Sequence, residues 1–119
     1  MIDDSKPIFM QISELIENDI ISGTLPEESQ VPSTNEFAAF YRINPATAAK
    51  GINRLVEEGL LYKKRGIGMF VAQGAPAKLR SSRREHFANQ FVTPLTAEAA
   101  KLGIEMDELI AMIKSTSAG

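Results

Sequence analysis

Three glycines, Gly59, Gly66 and Gly68, decide what the stretch RINPATAAKGINRLVEEGLLYKKRGIGMFV can become. Ahead of them, Asn44 followed by Pro45 reads as a helix cap and first helical position: the asparagine side chain satisfies an open amide, and proline has none to satisfy. The helix runs to about Glu58 with Ala48, Ile52, Leu55 and Val56 inward, and Gly59 ends it. The basic run that follows cannot stay helical through Gly66 and Gly68, so residues 60–64 and 69–71 read as two short strands joined by a glycine turn. A two-stranded hairpin is marginal alone. It becomes a plausible wing when packed on helices.

The residues before this stretch supply those helices. Pro7 fits a first helical turn, and Ile8, Ile12, Leu15, Ile16 and Ile20 recur every three to four residues until Gly23. The link GTLPEESQVPS has Leu25 and Val31 as inward anchors. Ser33 or Thr34 then caps a short helix, TNEFAAFYR, with Glu36 or Phe37 near its third position; Phe37, Ala38 and either Tyr41 or Phe40 face inward. After a small-residue hinge, QGAPAK, residues 76–102 are helical with Leu79, Phe87, Phe91, Leu95 and Leu102 as a stripe, and Pro94 should kink or divide them. Gly103 closes that helix. A last helix spans about 106–114, and STSAG is a frayed end. The expected fold is mainly α with a small β-hairpin: a winged helix-turn-helix at 1–74, then a helical dimerisation and effector-sensing region at 75–119.

With 119 residues the chain suits one modest core, and a chain this short gains by sharing apolar surface with a second copy. It has no cysteine, which excludes disulfides and thiolate metal sites. No apolar run reaches the roughly 18 residues that span a membrane, and the acidic start MIDDSKPIFMQ lacks the basic and apolar regions of a signal peptide. A cytoplasmic location without a membrane partner is expected. The net charge of −2 hides a segregation: residues 1–41 carry one lysine and eight acidic residues, whereas residues 42–84 carry ten basic residues against Glu57 and Glu58. A phosphate backbone responds to the local field rather than the average.

Catalysis has little support. The single histidine, His86, reads as a surface residue with no second member for acid–base or metal chemistry. The adjacent carboxylates Asp3–Asp4, Glu27–Glu28 and Glu57–Glu58 are solvated charges, and RGIG lacks the lysine and serine of a nucleotide loop. Neither metal nor cofactor is expected. Nucleic-acid binding fits better. The start of the helix after the turn suits a major groove about 12 Å wide: Asn44, Ala46 and Thr47 can approach base edges, and their amides can meet a phosphate. Ala46 and the Thr47 methyl suit a thymine methyl, and the Thr47 hydroxyl suits a base or a phosphate. Lys50 and Arg54 extend that side, and Arg42 precedes it. Lys63, Lys64 and Arg65 lie at the wing, with Arg65 the choice for the minor groove, and Gly66 and Gly68 let the backbone approach.

The order PIFMQI, ISGTL, VPSTNEFA, RINPATA and LVEEGLLYKKRGIGMFV resembles the GntR family of bacterial transcriptional regulators, particularly its small YtrA-type branch. The resemblance covers residues 7–71. It implies a phosphate-facing helix start at Ser33 and Thr34, a recognition helix presenting Asn44, Thr47 and Lys50, and a wing built on Arg65, Gly66 and Gly68. Asn35 stands where many members have a DNA-contacting arginine, and Asn44-Pro45 stands where the wider family often has Ser-Arg. The branch replaces a large effector domain with about two helices used for dimerisation.

The expected function is a sequence-specific, homodimeric repressor at a near-palindromic operator in double-stranded DNA, with half-sites roughly 34 Å apart. Phe87, Phe91, Leu95, Leu109, Met112 and Ile113 are the expected dimer contacts. Arg80, Arg83 and Arg84 touch DNA, line a site for a small-molecule effector, or pair with a partner subunit. The alternative is a protein-interaction module that uses the C-terminal helices without specific DNA readout.

Overall fold

The computed structural model of the chain describes residues 2–117. Its elements are α1 (Ile8–Ser22), β1 (Gln30–Val31), α2 (Thr34–Tyr41), α3 (Pro45–Glu57), β2 (Leu61–Lys64), β3 (Gly68–Val71), α4 (Ala75–Phe87), a π-helical stretch (Ala88–Val92), α5 (Thr93–Lys101) and α6 (Met106–Ser117). They form two compact units, Met1–Ser81 and Ser82–Gly119, so that the first turns of α4 belong with the winged helix.

In the first unit, α1 buries Ile12, Ile16 and Ile20 at one-turn spacing, each contributing roughly 1.5–3 kcal/mol. Ile8, expected inward, is exposed, while Gln11 and Ser13 are buried. Both polar side chains are satisfied. The Gln11 amide donates to the Asp3 and Lys6 carbonyls at 2.7 and 2.8 Å and accepts from the Asp3 amide at 3.0 Å, stapling the N-terminal segment to the helix. The Ser13 hydroxyl donates to the Gly51 carbonyl at 2.7 Å and so joins α1 to α3.

The wing holds three strands rather than two. Residues Gln30 and Val31 pair with Phe70 and Met69, giving an antiparallel sheet in the order β1-β3-β2. Of the two anchors in the link, Val31 is buried and Leu25 half-buried. Leu60, Leu61 and Val71 carry the sheet into the core formed by Ile12, Ile16, Ile52 and Leu55, and Ala75 and Leu79 of α4 complete it. On α2 Phe37 and Tyr41 are the inward aromatics, both half-buried against the core, while Phe40 is 74% exposed.

The long helix expected over 76–102 is interrupted before Pro94. The Thr93 amide bonds to the Ala88 carbonyl five residues back, a π turn. Proline at 94 has no N–H to offer the carbonyl of Gln90, so the ladder widens in the preceding turn. The second unit buries Ala99 and Leu109, and Gly103, at φ 71°, lets the chain leave α5. From the expected stripe, Leu79 is buried in the first unit, whereas Phe87, Phe91, Leu95 and Leu102 are exposed. Of the tail expected to fray, Ser115, Thr116 and Ser117 continue α6, with the Thr116 hydroxyl donating to the Ile113 carbonyl at 2.8 Å. Ala118 and Gly119 lie outside the described residues.

Candidate nucleic-acid interface

Both helices of the helix-turn-helix are capped by their own sequence. Ser33 and Glu36 form a reciprocal capping box on α2: the Glu36 amide donates to the Ser33 hydroxyl at 3.1 Å, and the Ser33 amide donates to the Glu36 carboxylate at 2.9 Å. The backbone bond from Ser33, reinforced by its side chain, holds the Glu36 carboxyl below its ordinary value. The turn to α3 is made by Arg42 in the left-handed region, φ 56° and ψ 50°. The Arg42 and Ile43 amides both fold back on the Ala38 carbonyl. Asn44 then caps α3, its side-chain oxygen accepting from the Ala46 amide at 2.8 Å.

This capping changes one expectation. The amides at the start of α3 are already used: Ala46 by the Asn44 side chain, and Thr47 and Ala48 by the Asn44 carbonyl at 3.0 and 3.1 Å. A phosphate at that end must be met by side chains. The Asn44 amide group and the Thr47 hydroxyl are the nearest, with Asn44 exposed and Thr47 half-buried.

Along α3, Ala46, Lys50, Asn53 and Glu57 recur at four, three and four residues and so share one face. They line an open groove of about 740 Å³ with Ala49, Arg54 and, from α1, Phe9. The Lys50 ammonium lies 4.1 Å from the Phe9 ring centroid. Asn53 and Phe9 were not anticipated as members of this face. Helical spacing from Ala46 and Lys50 points to Asn53, but nothing local in the sequence brings Phe9 there.

At the wing, the Ile67 amide donates to the Lys64 carbonyl at 2.9 Å, closing a turn with Arg65 and Gly66 at its centre. Gly66, at φ 78°, takes the position that favours glycine. A side chain at Gly68 would begin 2.6 Å from the Gln30 amide nitrogen, which donates to the Ile67 carbonyl at 3.1 Å; β1 thus buttresses the tip. Lys63, Lys64 and Arg65 are exposed, and Lys64 lies 4.4 Å from the Phe70 ring. The Tyr62 hydroxyl donates to Glu28, which with burial pushes the phenol above its ordinary value. Ser33 and Asn35 are exposed and Thr34 half-buried at the start of α2.

Lys78 and Arg80, both basic residues of the 42–84 segment, are engaged with helix ends. Lys78 donates to the Glu58 carbonyl at 2.6 Å, at the end of α3, and Arg80 reaches the Ile21 carbonyl at 3.5 Å, near the end of α1. Cations suit helix C-termini. Arg80 falls in the first unit and Arg83 and Arg84 in the second. In the second unit, Phe87, Phe91, Leu95, Met112 and Ile113 are exposed, whereas Leu109 is buried in its own chain. Among the described residues, no group of three histidines, cysteines or carboxylates is placed to hold a metal, and no helix is long and apolar enough to cross a membrane.

A capped helix-turn-helix followed by a glycine-tipped basic wing defines a winged-helix DNA-binding regulator. The chain belongs to the GntR family: the profile of bacterial regulatory proteins of that family matches residues 10–71, more than half of its length. It is 28% identical over 114 residues to the HTH-type transcriptional repressor YtrA of Bacillus subtilis, covering 96% of this chain and 87% of that protein. A GntR-family regulator from Bacteroides thetaiotaomicron has a similar crystal structure, with 34% identity, TM-score 0.78 and coverage of 92% and 95% of the two chains. The winged helix also resembles AraR(DBD) in complex with an operator, at 30% identity and TM-score 0.57 over 60% of this chain and 93% of that one. The family is one of regulators rather than enzymes, and the chain is a sequence-specific DNA-binding regulator of GntR type.

Proposed function

We propose that the chain is a homodimeric repressor of the YtrA-type branch, working in the cytoplasm on a near-palindromic operator. The observation that carries this reading is the pairing of two basic surfaces of different shape in one unit: the groove face of α3 with Lys50 and Arg54, and the wing tip with Lys63, Lys64 and Arg65. The first suits a major groove and the second the backbone or minor groove beside it. Repression and the branch are supported by the near full-length likeness to the YtrA repressor. Dimerisation is supported by Phe87, Phe91, Leu95, Met112 and Ile113, apolar side chains left on the surface of the second unit; covering such a face removes its exposed area from water. Twofold protein symmetry then calls for twofold operator symmetry.

In this reading Asn44, Ala46 and Thr47 approach base edges, and Lys50, Arg54, Arg42, Ser33, Thr34 and Asn35 hold the backbone. Relief of repression by a small molecule completes the proposal, and an unchanged thermal midpoint and DNA affinity across a metabolite screen would remove that part. The main test is selection of bound duplexes from a random DNA pool at near-physiological salt, repeated with Thr47→Ala, Lys50→Ala and Arg65→Ala, alongside sedimentation. A dimer that enriches a symmetric site is expected, with Thr47→Ala relaxing one position in each half-site. A folded protein that enriches no sequence would support the rival reading as a protein-interaction module, and a micromolar monomer would remove the dimer.

A further inference from the structure

We propose that Phe9 is a positioning residue of the DNA interface, holding the Lys50 ammonium where α3 presents it. This rests on the DNA-binding reading and adds to it a residue from α1 that belongs to no part of the helix-turn-helix.

The first argument is placement. Phe9 is half-buried and lines the same groove as Ala46, Ala49, Lys50 and Asn53, so its ring lies on the exposed face of α3 although its backbone is in α1. The second is fixation. The Phe9 carbonyl packs against Gly51, the residue after Lys50, and the Ser13 hydroxyl one turn later bonds to the Gly51 carbonyl. The backbones that carry ring and lysine are therefore locked together. The third is the contact itself: the ammonium lies 4.1 Å from the ring centroid, within the range in which an aromatic face attracts a cation.

A lysine stem has four carbons and loses rotamer freedom when its charge is fixed on a partner. A ring that restricts the stem beforehand lowers that loss on binding. Lys50 remains exposed, so the side of the ammonium away from the ring is open to a phosphate or a guanine edge. The wing repeats the arrangement: Lys64 lies 4.4 Å from the Phe70 ring and 5.9 Å from that of Tyr62. Each of the two basic surfaces thus has one lysine seated on an aromatic ring. In this scheme Phe9 touches no DNA and acts through Lys50.

The test is a cycle of wild type, Phe9→Leu, Lys50→Gln and the double variant, with Phe9→Tyr as the conservative rescue. The probe is the duplex that the wild-type protein enriches from a random pool. Phe9→Leu should weaken binding about three- to ten-fold. Phe9→Tyr should stay within about two-fold of wild type because the aromatic face is kept, and Phe9→Leu should cost nothing further in the Lys50→Gln background. In the free protein, the Lys50 side-chain methylene resonances should be shifted upfield by the ring in wild type and Phe9→Tyr, and should return in Phe9→Leu. An equal loss from Phe9→Leu with and without Lys50, or no upfield shift in the wild type, overturns the proposal while leaving the regulator reading intact. Failure of the folded wild-type protein to enrich any duplex removes both.

Discussion

The Phe9 carbonyl oxygen lies 2.6 Å from the point where a Cβ at Gly51 would stand, and both Cβ and Cγ2 of Ile12 lie 3.1 Å from that point. The backbones of α1 and α3 therefore meet through a missing side chain. Gly51→Ala must push the helices apart, because the nearest atom is backbone and cannot turn away. The expected cost is about 1–3 kcal/mol, the range for overpacking, read as a lower midpoint in urea unfolding. Ser13→Ala removes the hydroxyl that joins the same helices and should cost about 1 kcal/mol. A Gly51→Ala protein as stable as wild type would show that the helices do not approach this closely.

Arg42 combines two roles that can be separated. At φ 56° it makes the turn of the helix-turn-helix in a conformation that favours glycine, and its charge stands just before α3. Arg42→Gly should raise stability by about 0.5–1 kcal/mol through relief of the left-handed strain. If its charge meets a phosphate, the same change should weaken DNA binding, and Arg42→Lys should restore binding without the gain in stability. Thermal unfolding and binding at low salt would separate the two, and a destabilised Arg42→Gly would refute the strain argument.

What was legible in the sequence was punctuated locally. Asn44-Pro45, Gly59 and Gly66 each fix a turn or cap within a few residues, so the helix-turn-helix and the wing tip could be read from residue type alone. What was not legible depended on partners distant in sequence. Ser13 is buried because its hydroxyl meets a carbonyl 38 residues away, and Gly51 is needed because the Phe9 carbonyl of α1 leaves no room for a Cβ there. Gln30 and Val31 are too few to show strand periodicity and become strands only by pairing with Phe70 and Met69. The basic residues were visible as a segment, but charge alone did not separate Lys78, which caps a helix, from Lys50, which lines a groove.

The capping box gives a pH dependence with a definite sign. The Glu36 carboxyl is held below its ordinary value of 4.5 by the Ser33 backbone and side chain. A depressed folded value means the unfolded chain takes up the proton more readily on acidification. The stabilisation is therefore complete above pH 4.5 and is lost as pH falls through the folded value. Glu36→Gln keeps an acceptor for the Ser33 amide but does not titrate. Wild type should be the more stable near neutrality, and the gap should narrow as pH falls from 4.5 through the folded value. A gap that stays constant from pH 7 to pH 3 in paired thermal melts would mean that the charge contributes nothing at this cap.

Lys78 and Arg65 belong to the same basic segment but should fail in opposite ways. Lys78 donates to the Glu58 carbonyl at 2.6 Å and closes the end of α3, where a cation is favoured by the helix dipole. Lys78→Met should therefore lower stability by about 0.3–1 kcal/mol and leave the salt dependence of DNA binding unchanged. Arg65 is exposed at the centre of the wing turn. Arg65→Ala should leave the melting midpoint in place and reduce the slope of log affinity against log salt by about one, the loss of one phosphate or minor-groove charge. Salt titrations of both variants on the same selected duplex decide the matter. If Lys78→Met flattened the slope as much as Arg65→Ala, the helix-capping lysine would also be part of the DNA surface, and the interface would extend from the wing onto α4.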